Sequence, residues 1–86
     1  MIMKNEELNK KIGKNLKFYR LFKGFTQKQL AKSLNLTFQQ IQKYEKGTNR
    51  LSLSKLFEIC EVLNVDIHQF IDGIKNADVM LDILKN

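Results

Sequence analysis

The stretch Thr26-Gln27-Lys28-Gln29-Leu30-Ala31-Lys32-Ser33-Leu34-Asn35-Leu36-Thr37-Phe38-Gln39-Gln40-Ile41-Gln42-Lys43-Tyr44-Glu45-Lys46-Gly47 decides the fold. It reads as two short helices joined by a tight polar turn, the second crowded with long hydrogen-bonding side chains. Each helix opens with a hydroxyl residue followed three positions later by Gln: Thr26 with Gln29, and Thr37 with Gln40. This is the capping-box pattern, in which the hydroxyl accepts from an orphan backbone N–H while the Gln reaches back to the cap. Leu30, Ala31 and Leu34 give the first helix an inner face at helical spacing, and Ile41 with Tyr44 does so for the second. Asn35 falls where the first helix must stop and Gly47 where the second must, and both residue types tolerate the left-handed conformation of such a stop. Helices of about nine residues are marginal alone in water, so the pattern demands neighbours to pack on.

The rest of the chain supplies them. Eighty-six residues make one domain able to fold without staples if it is compact. Pro is absent, Gly is sparse and no segment alternates with period two, which predicts an all-α fold. A first helix is expected from Glu6 to Lys23, with Leu8, Ile12, Leu16, Tyr19 and Phe22 on one side and Gly24 ending it. After the unpatterned connection Thr48-Asn49-Arg50-Leu51, a fourth helix starts near Ser52 or Ser54. It runs to Leu63, turns Leu56, Ile59, Cys60 and Leu63 inward, and ends at Asn64. A short fifth helix opens at Asp66, three residues before Gln69, and brings Ile67, Phe70 and Ile71 back to the core. Ile74, Ala77, Leu81 and Leu84 then recur at three, four and three, predicting an amphipathic helix over 74–85. The expected organisation is a five-helix domain over residues 6–72 plus that appended helix. The appended helix either folds back onto the first or fifth helix or pairs with a second copy, and the dimer is the preferred reading.

Charge divides the chain. Up to Arg50 there are twelve Lys or Arg against three acids, Glu6, Glu7 and Glu45; from Leu51 onward there are three Lys against six acids. The basic half is the one that holds the polar helix, and a basic surface beside a docking helix attracts phosphates. On charge alone, the Lys residues of the first helix serve equally well as a solvated face. The single Cys, Cys60, has no internal disulfide partner and no ligand at metal spacing, and it is read as a small core residue. His68, the only His, has no carboxylate or Cys partner at useful spacing and is read as a surface residue. No phosphate loop, signal peptide or long apolar run is present. The expectation is a cytoplasmic, non-enzymatic protein with no metal, no cofactor and no membrane association.

Several spaced motifs agree on one family. Ile12-Gly13-x-x-Leu16-x-x-x-Arg20, Gly24-Phe25-Thr26-Gln27-x-x-Leu30-Ala31, Ile41-x-x-Tyr44-Glu45-x-Gly47 and Leu56-x-x-Ile59-Cys60-x-x-Leu63-Asn64-Val65 resemble the lambda-repressor-like helix-turn-helix domain of Xre or Cro/CI type regulators. The resemblance spans about residues 12–72. It implies a five-helix DNA-binding bundle in which the helix Thr37 to Lys46 lies in the major groove with its N-terminal residues at the base edges.

Carried onto this chain, the resemblance implies base contacts from Phe38, Gln39, Gln42 and Lys43. A Gln amide donates and accepts together, so Gln39 suits adenine N6 and N7, while Lys43 suits guanine or a phosphate. Phe38 is the unusual member. It either packs on thymine methyls or folds back over the turn. Backbone contacts are expected from Thr26 and Thr37 at helix starts, from Gln27, and from Lys46, Thr48, Asn49 and Arg50 in the following loop. That loop lacks the Pro common in the family and has Leu51 instead. Gln40 is read as the capping partner of Thr37 and not as a base reader. Arg20 and Glu45 match a family pair that ties the first helix to the end of the recognition helix, read here as structural. The implied function is a sequence-specific transcriptional regulator, a repressor by preference, binding a double-stranded operator as a homodimer with half-sites about 34 Å apart. An antitoxin or restriction-system controller with a protein partner, or a protein-interaction module, are the alternatives.

Overall fold

The computed structural model describes residues 4–76 and residue 84. Five α-helices follow one another: α1 (Asn5–Phe22), α2 (Gln27–Ser33), α3 (Phe38–Lys46), α4 (Leu53–Leu63) and α5 (Ile67–Asp72), with a 3-10 turn at Gly73–Asn76. The expected all-α bundle is the observed one. The appended helix expected over 74–85 falls mostly outside the described residues, and at its start the chain forms that 3-10 turn with Ile74 half-buried.

Every helix start from α2 onward has a side-chain acceptor at its cap. Thr26 forms the complete box, its hydroxyl accepting from Gln29 N–H at 3.0 Å while Gln29 Oε1 accepts from Thr26 N–H at 2.8 Å. Thr37 accepts from Gln40 N–H at 3.2 Å, with no return bond from the Gln40 side chain. Ser52 accepts from Lys55 N–H, and Asp66 accepts from His68 N–H. Two expectations are thereby corrected. Gln40 is no capping partner of Thr37 through its side chain, and Asp66 caps the amide two residues on without drawing in Gln69. A carboxylate or hydroxyl satisfies one orphan amide by itself, so the second half of a box is optional.

The helix ends repeat one device. Backbone amides of Phe25, Leu36, Thr48 and Val65 each reach back five residues, to the carbonyls of Arg20, Ala31, Lys43 and Cys60. The residue before each amide is left-handed: Gly24 and Gly47 at φ 80° and 76°, Asn35 and Asn64 at φ 56° and 54°. This six-to-one closure wants an apolar residue after the left-handed one, to pack back on the helix. Phe25, Leu36 and Val65 supply it. Only after α3 is that position polar, at Thr48.

The core is built from Leu16 and Tyr19 of α1, Leu30, Ala31 and Leu34 of the α2 region, Ile41 of α3, Leu56, Ile59, Cys60 and Leu63 of α4, and then Val65 and Phe70. Full burial of side chains such as Leu16, Leu30, Ile41 and Phe70 contributes about 1.5–3 kcal/mol each. Phe22 and Ile71, expected inside, stand 61% and 49% exposed. The i+3 spacing from Tyr19 carries Phe22 past the end of α1's packed face, where it stacks on Phe18 at 5.8 Å instead. Leu8 is half-buried, near the free end of α1.

The crossing of α1 and α3 is closer than side chains allow. A Cβ on Gly13 would run into the backbone oxygens of Tyr44 and Glu45, and one on Gly47 would come within 2.7 Å of Lys10 Cα. Gly13 on α1 and Gly47 just after α3 therefore let the last turn of α3 press against the middle of α1. Across the domain, the buried Asn15 donates from Nδ2 to the Phe70 carbonyl and ties α5 to α1. Its Oδ1 has no partner among the described residues, and a Cβ on Gly73 would sit 2.9 Å from it.

Candidate nucleic-acid interface

Helices α2 and α3 and the turn between them form one unit held by Leu30, Ala31 and Ile41. On α3, Ile41 and Glu45 are buried, Phe38 and Tyr44 are half-buried against the core, and Gln39 and Lys43 are exposed with Gln42 half-exposed. Gln39, Gln42 and Lys43 stand three and four residues apart, so they share the outward face. An outward row of two amides and one ammonium can donate and accept at base edges, which is the chemistry of groove reading.

The far end of α3 is anchored by a buried charge network. Arg20 of α1 donates from Nε to Glu45 Oε2 at 2.5 Å and from Nη2 to Oε1 at 3.1 Å, a bidentate fork. Its Nη1 donates to the Phe25 carbonyl at 2.9 Å. Gln27 Nε2 also donates to Glu45 Oε1, at 3.1 Å. Arg20 and Glu45 side chains are only 7% and 5% exposed, so the charges survive burial because each is paired and hydrogen-bonded. One carboxylate thus joins the end of α1, the start of α2 and the end of α3. What α3 leaves to solvent is the outward face with Gln39, Gln42 and Lys43.

The loop beyond α3 is solvent-exposed at Thr48, Asn49 and Arg50, as is Lys46. Thr48 is the exception to a free backbone contact. Its hydroxyl and its amide both donate to the Lys43 carbonyl, at 3.2 and 3.0 Å, and so close α3. Thr26 and Thr37 hydroxyls each accept a backbone N–H at their caps, which leaves their O–H donors to other partners. Phe38, read as a base contact or as folding back, lies half-buried, and the Lys28 ammonium stands 5.4 Å from its ring centroid. The sequence reading missed Lys28, because a Lys beside a capping box carries no signal without the partner ring. It also missed Asn15 and the contact role of Gly13.

No group of three or more His, Cys, Asp or Glu converges among the described residues, and none of their helices is long and apolar enough to cross a membrane. Burial pushes the Cys60 thiol above its ordinary value, with the Asp66 charge adding to it. Burial likewise raises the Tyr19 hydroxyl, with smaller contributions from Cys60 and Asp72. Neither group faces the α3 row.

A bracing helix, a tight turn and a projecting polar helix on an all-α bundle define a helix-turn-helix domain. The profile of the helix-turn-helix family matches residues 16–70, and the chain belongs to that family, in its lambda-repressor-like form. An uncharacterized HTH-type transcriptional regulator of Sinorhizobium medicae is 46% identical over 61 residues, covering 71% of this chain and 44% of its own length. One from Rickettsia conorii is 40% identical over 73 residues, covering 85% and 58%. The chain therefore spans about half the length of these relatives. Among solved structures, the clp gene regulator ClgR of Corynebacterium glutamicum superposes with TM-score 0.78 at 21% identity, over 81% of this chain and 90% of that one. A mutant of a restriction-modification controller protein superposes with TM-score 0.75 at 29% identity, over 84% and 96%.

Proposed function

We propose that this protein is a sequence-specific DNA-binding transcriptional regulator, acting without catalysis, that reads the major groove with the N-terminal half of α3. The observation that carries the reading is the outward row Gln39, Gln42 and Lys43 on a helix whose other end is locked by the Arg20–Glu45–Gln27 network. Base contacts fall to that row. Lys46 in the last turn of α3 and Asn49 and Arg50 in the loop beyond it are exposed and suit phosphates, which position a protein without reading sequence. Thr37 N-caps the nine-residue α3, and a helix start is a second phosphate position. Thr26 at the start of α2 is a phosphate position of the same kind, its hydroxyl accepting at the cap and keeping its O–H donor, and Gln27, which gives one amide N–H to Glu45, keeps a second for the backbone. Association as a homodimer on an inverted repeat fits a domain with one reading helix. The outward pair Leu53 and Phe57, 66% and 52% exposed one turn apart on α4, offers apolar surface for a second copy, besides the amphipathic pattern of the sequence over 74–85.

The test is selection of bound duplexes from a random library at about 0.15 M salt, where phosphate attraction alone is partly suppressed, with Gln39→Ala in parallel. The expected result is an enriched inverted repeat whose preferred bases change in the variant. Absence of any enriched motif would refute the reading. Arg50→Ala should leave the motif intact and weaken all sequences alike.

A further inference from the structure

Phe38 opens α3, at a position that the groove-reading proposal above brings toward the base edges, yet its ring is half-buried against the core and has a cation over it. That cation is Lys28 Nζ, 5.4 Å from the ring centroid and inside the range of about 6 Å over which a ring quadrupole attracts an ammonium. Lys28 has no carboxylate partner among the described residues. In the basic half of the chain the acids are Glu6, Glu7 and Glu45, and Glu45 is consumed by Arg20 and Gln27. Lys55 provides the contrast, with its ammonium 2.5 Å from Glu58 and already neutralised. A ring attracts a cation without accepting a conventional N–H bond, so the three donors of the Lys28 ammonium stay available.

We infer that Lys28 and Phe38 act as one unit, in which the ring is a platform that presents the Lys28 ammonium to a phosphate at the edge of the groove, and not a reader of thymine methyls. This rests on the DNA-binding reading above and deepens it. The recognition helix enters a groove about 12 Å wide that phosphates border on both sides, and a cation held over the helix's first residue stands at that border. The core covers part of the ring and the ammonium stands over it, which leaves less of Phe38 for a thymine methyl. Lys28 is then a positioning cation on α2 that depends on an aromatic residue of α3. The two helices of the unit are coupled through it, and base readout is confined to Gln39, Gln42 and Lys43.

The experiment measures affinity for the selected duplex over a range of salt, for wild type, Lys28→Ala, Phe38→Leu and the double variant. Leu keeps apolar packing on the core and removes the ring, and a thermal melt of each variant accompanies the titration. Lys28→Ala is expected to weaken binding about tenfold, the lower range for a hydrogen bond to a charged group. It should also reduce the slope of log K against log salt by about 0.9, one phosphate's share. Phe38→Leu should lose about two- to fivefold, the worth of an exposed cation–π contact, with the preferred bases unchanged. Its effect should vanish in the Lys28→Ala background. In the free protein, the Lys28 ε-protons should show an upfield ring-current shift that Phe38→Leu abolishes. An unchanged salt slope in Lys28→Ala, or a changed base preference in Phe38→Leu, would overturn the inference while leaving DNA binding in place. A wild type that binds no duplex would instead remove the underlying reading.

Discussion

Glu45→Ala tests the keystone of the domain. The substitution deletes both oxygens that hold the Arg20 guanidinium and the one that accepts from Gln27. Arg20 keeps only its bond to the Phe25 carbonyl and stays buried with an unmatched charge. Removing one partner of a buried pair costs about 3–5 kcal/mol. For a domain of this size each kcal/mol moves the midpoint by about 4–8 °C, so Tm should fall by at least about 12 °C. The control is Glu6→Ala, an exposed first-turn residue where substitution changes stability by about 0.5 kcal/mol or less. Thermal unfolding followed by circular dichroism is the assay. The charge argument adds a second arm: replacing both partners, Arg20→Met with Glu45→Leu, leaves no stranded charge and should recover much of the loss. Glu45→Ala melting within about 3 °C of Glu6→Ala, less than the shift of a single kcal/mol, would refute the reasoning. So would a double variant no more stable than Glu45→Ala.

Gly13→Ala should displace α3, because the obstacles to its Cβ are backbone oxygens that cannot rotate away. We expect a loss of about 1–3 kcal/mol and weakened DNA binding, whereas Gly24→Ala, whose Cβ meets nothing within 4 Å, should destabilise through its positive φ alone and spare DNA affinity. Amide chemical-shift changes around Tyr44 and Glu45 in Gly13→Ala, absent in Gly24→Ala, check this. Stability should also decline at alkaline pH. Cys60 and Tyr19 are raised above ordinary values of 9.0 and 10.0, so the native state holds protons that the unfolded chain has released. Their stabilisation is complete below pH 9 and is lost as pH climbs through the raised values. Urea titrations between pH 7 and about pH 11 should show that decline, and Cys60→Ala should flatten its earlier part.

From α1 to α5 the helices and their limits were legible in the residues. Thr26, Thr37, Ser52 and Asp66 start helices and Gly24, Asn35, Gly47 and Asn64 end them, because caps and left-handed stops are satisfied within five residues of chain. The inner faces of α2, α3 and α4 followed from spacing for the same local reason. Where a helix face runs out is a matter of what lies beside it, so Phe22 and Ile71 were misplaced although their spacing was right. Arg20 and Glu45 were paired through a family resemblance, but their burial, their fork and the added bond from Gln27 depend on three elements meeting. The close α1–α3 crossing at Gly13 and Gly47, the buried bond from Asn15 to the Phe70 carbonyl, and Lys28 over Phe38 had no sequence signature at all. Each joins positions ten to fifty-five residues apart, and only packing decides which side chain meets which. The sequence alone determined a helix-turn-helix bundle with a polar second helix; the tertiary structure decided how that helix is braced and that Lys28 stands over Phe38 at its start.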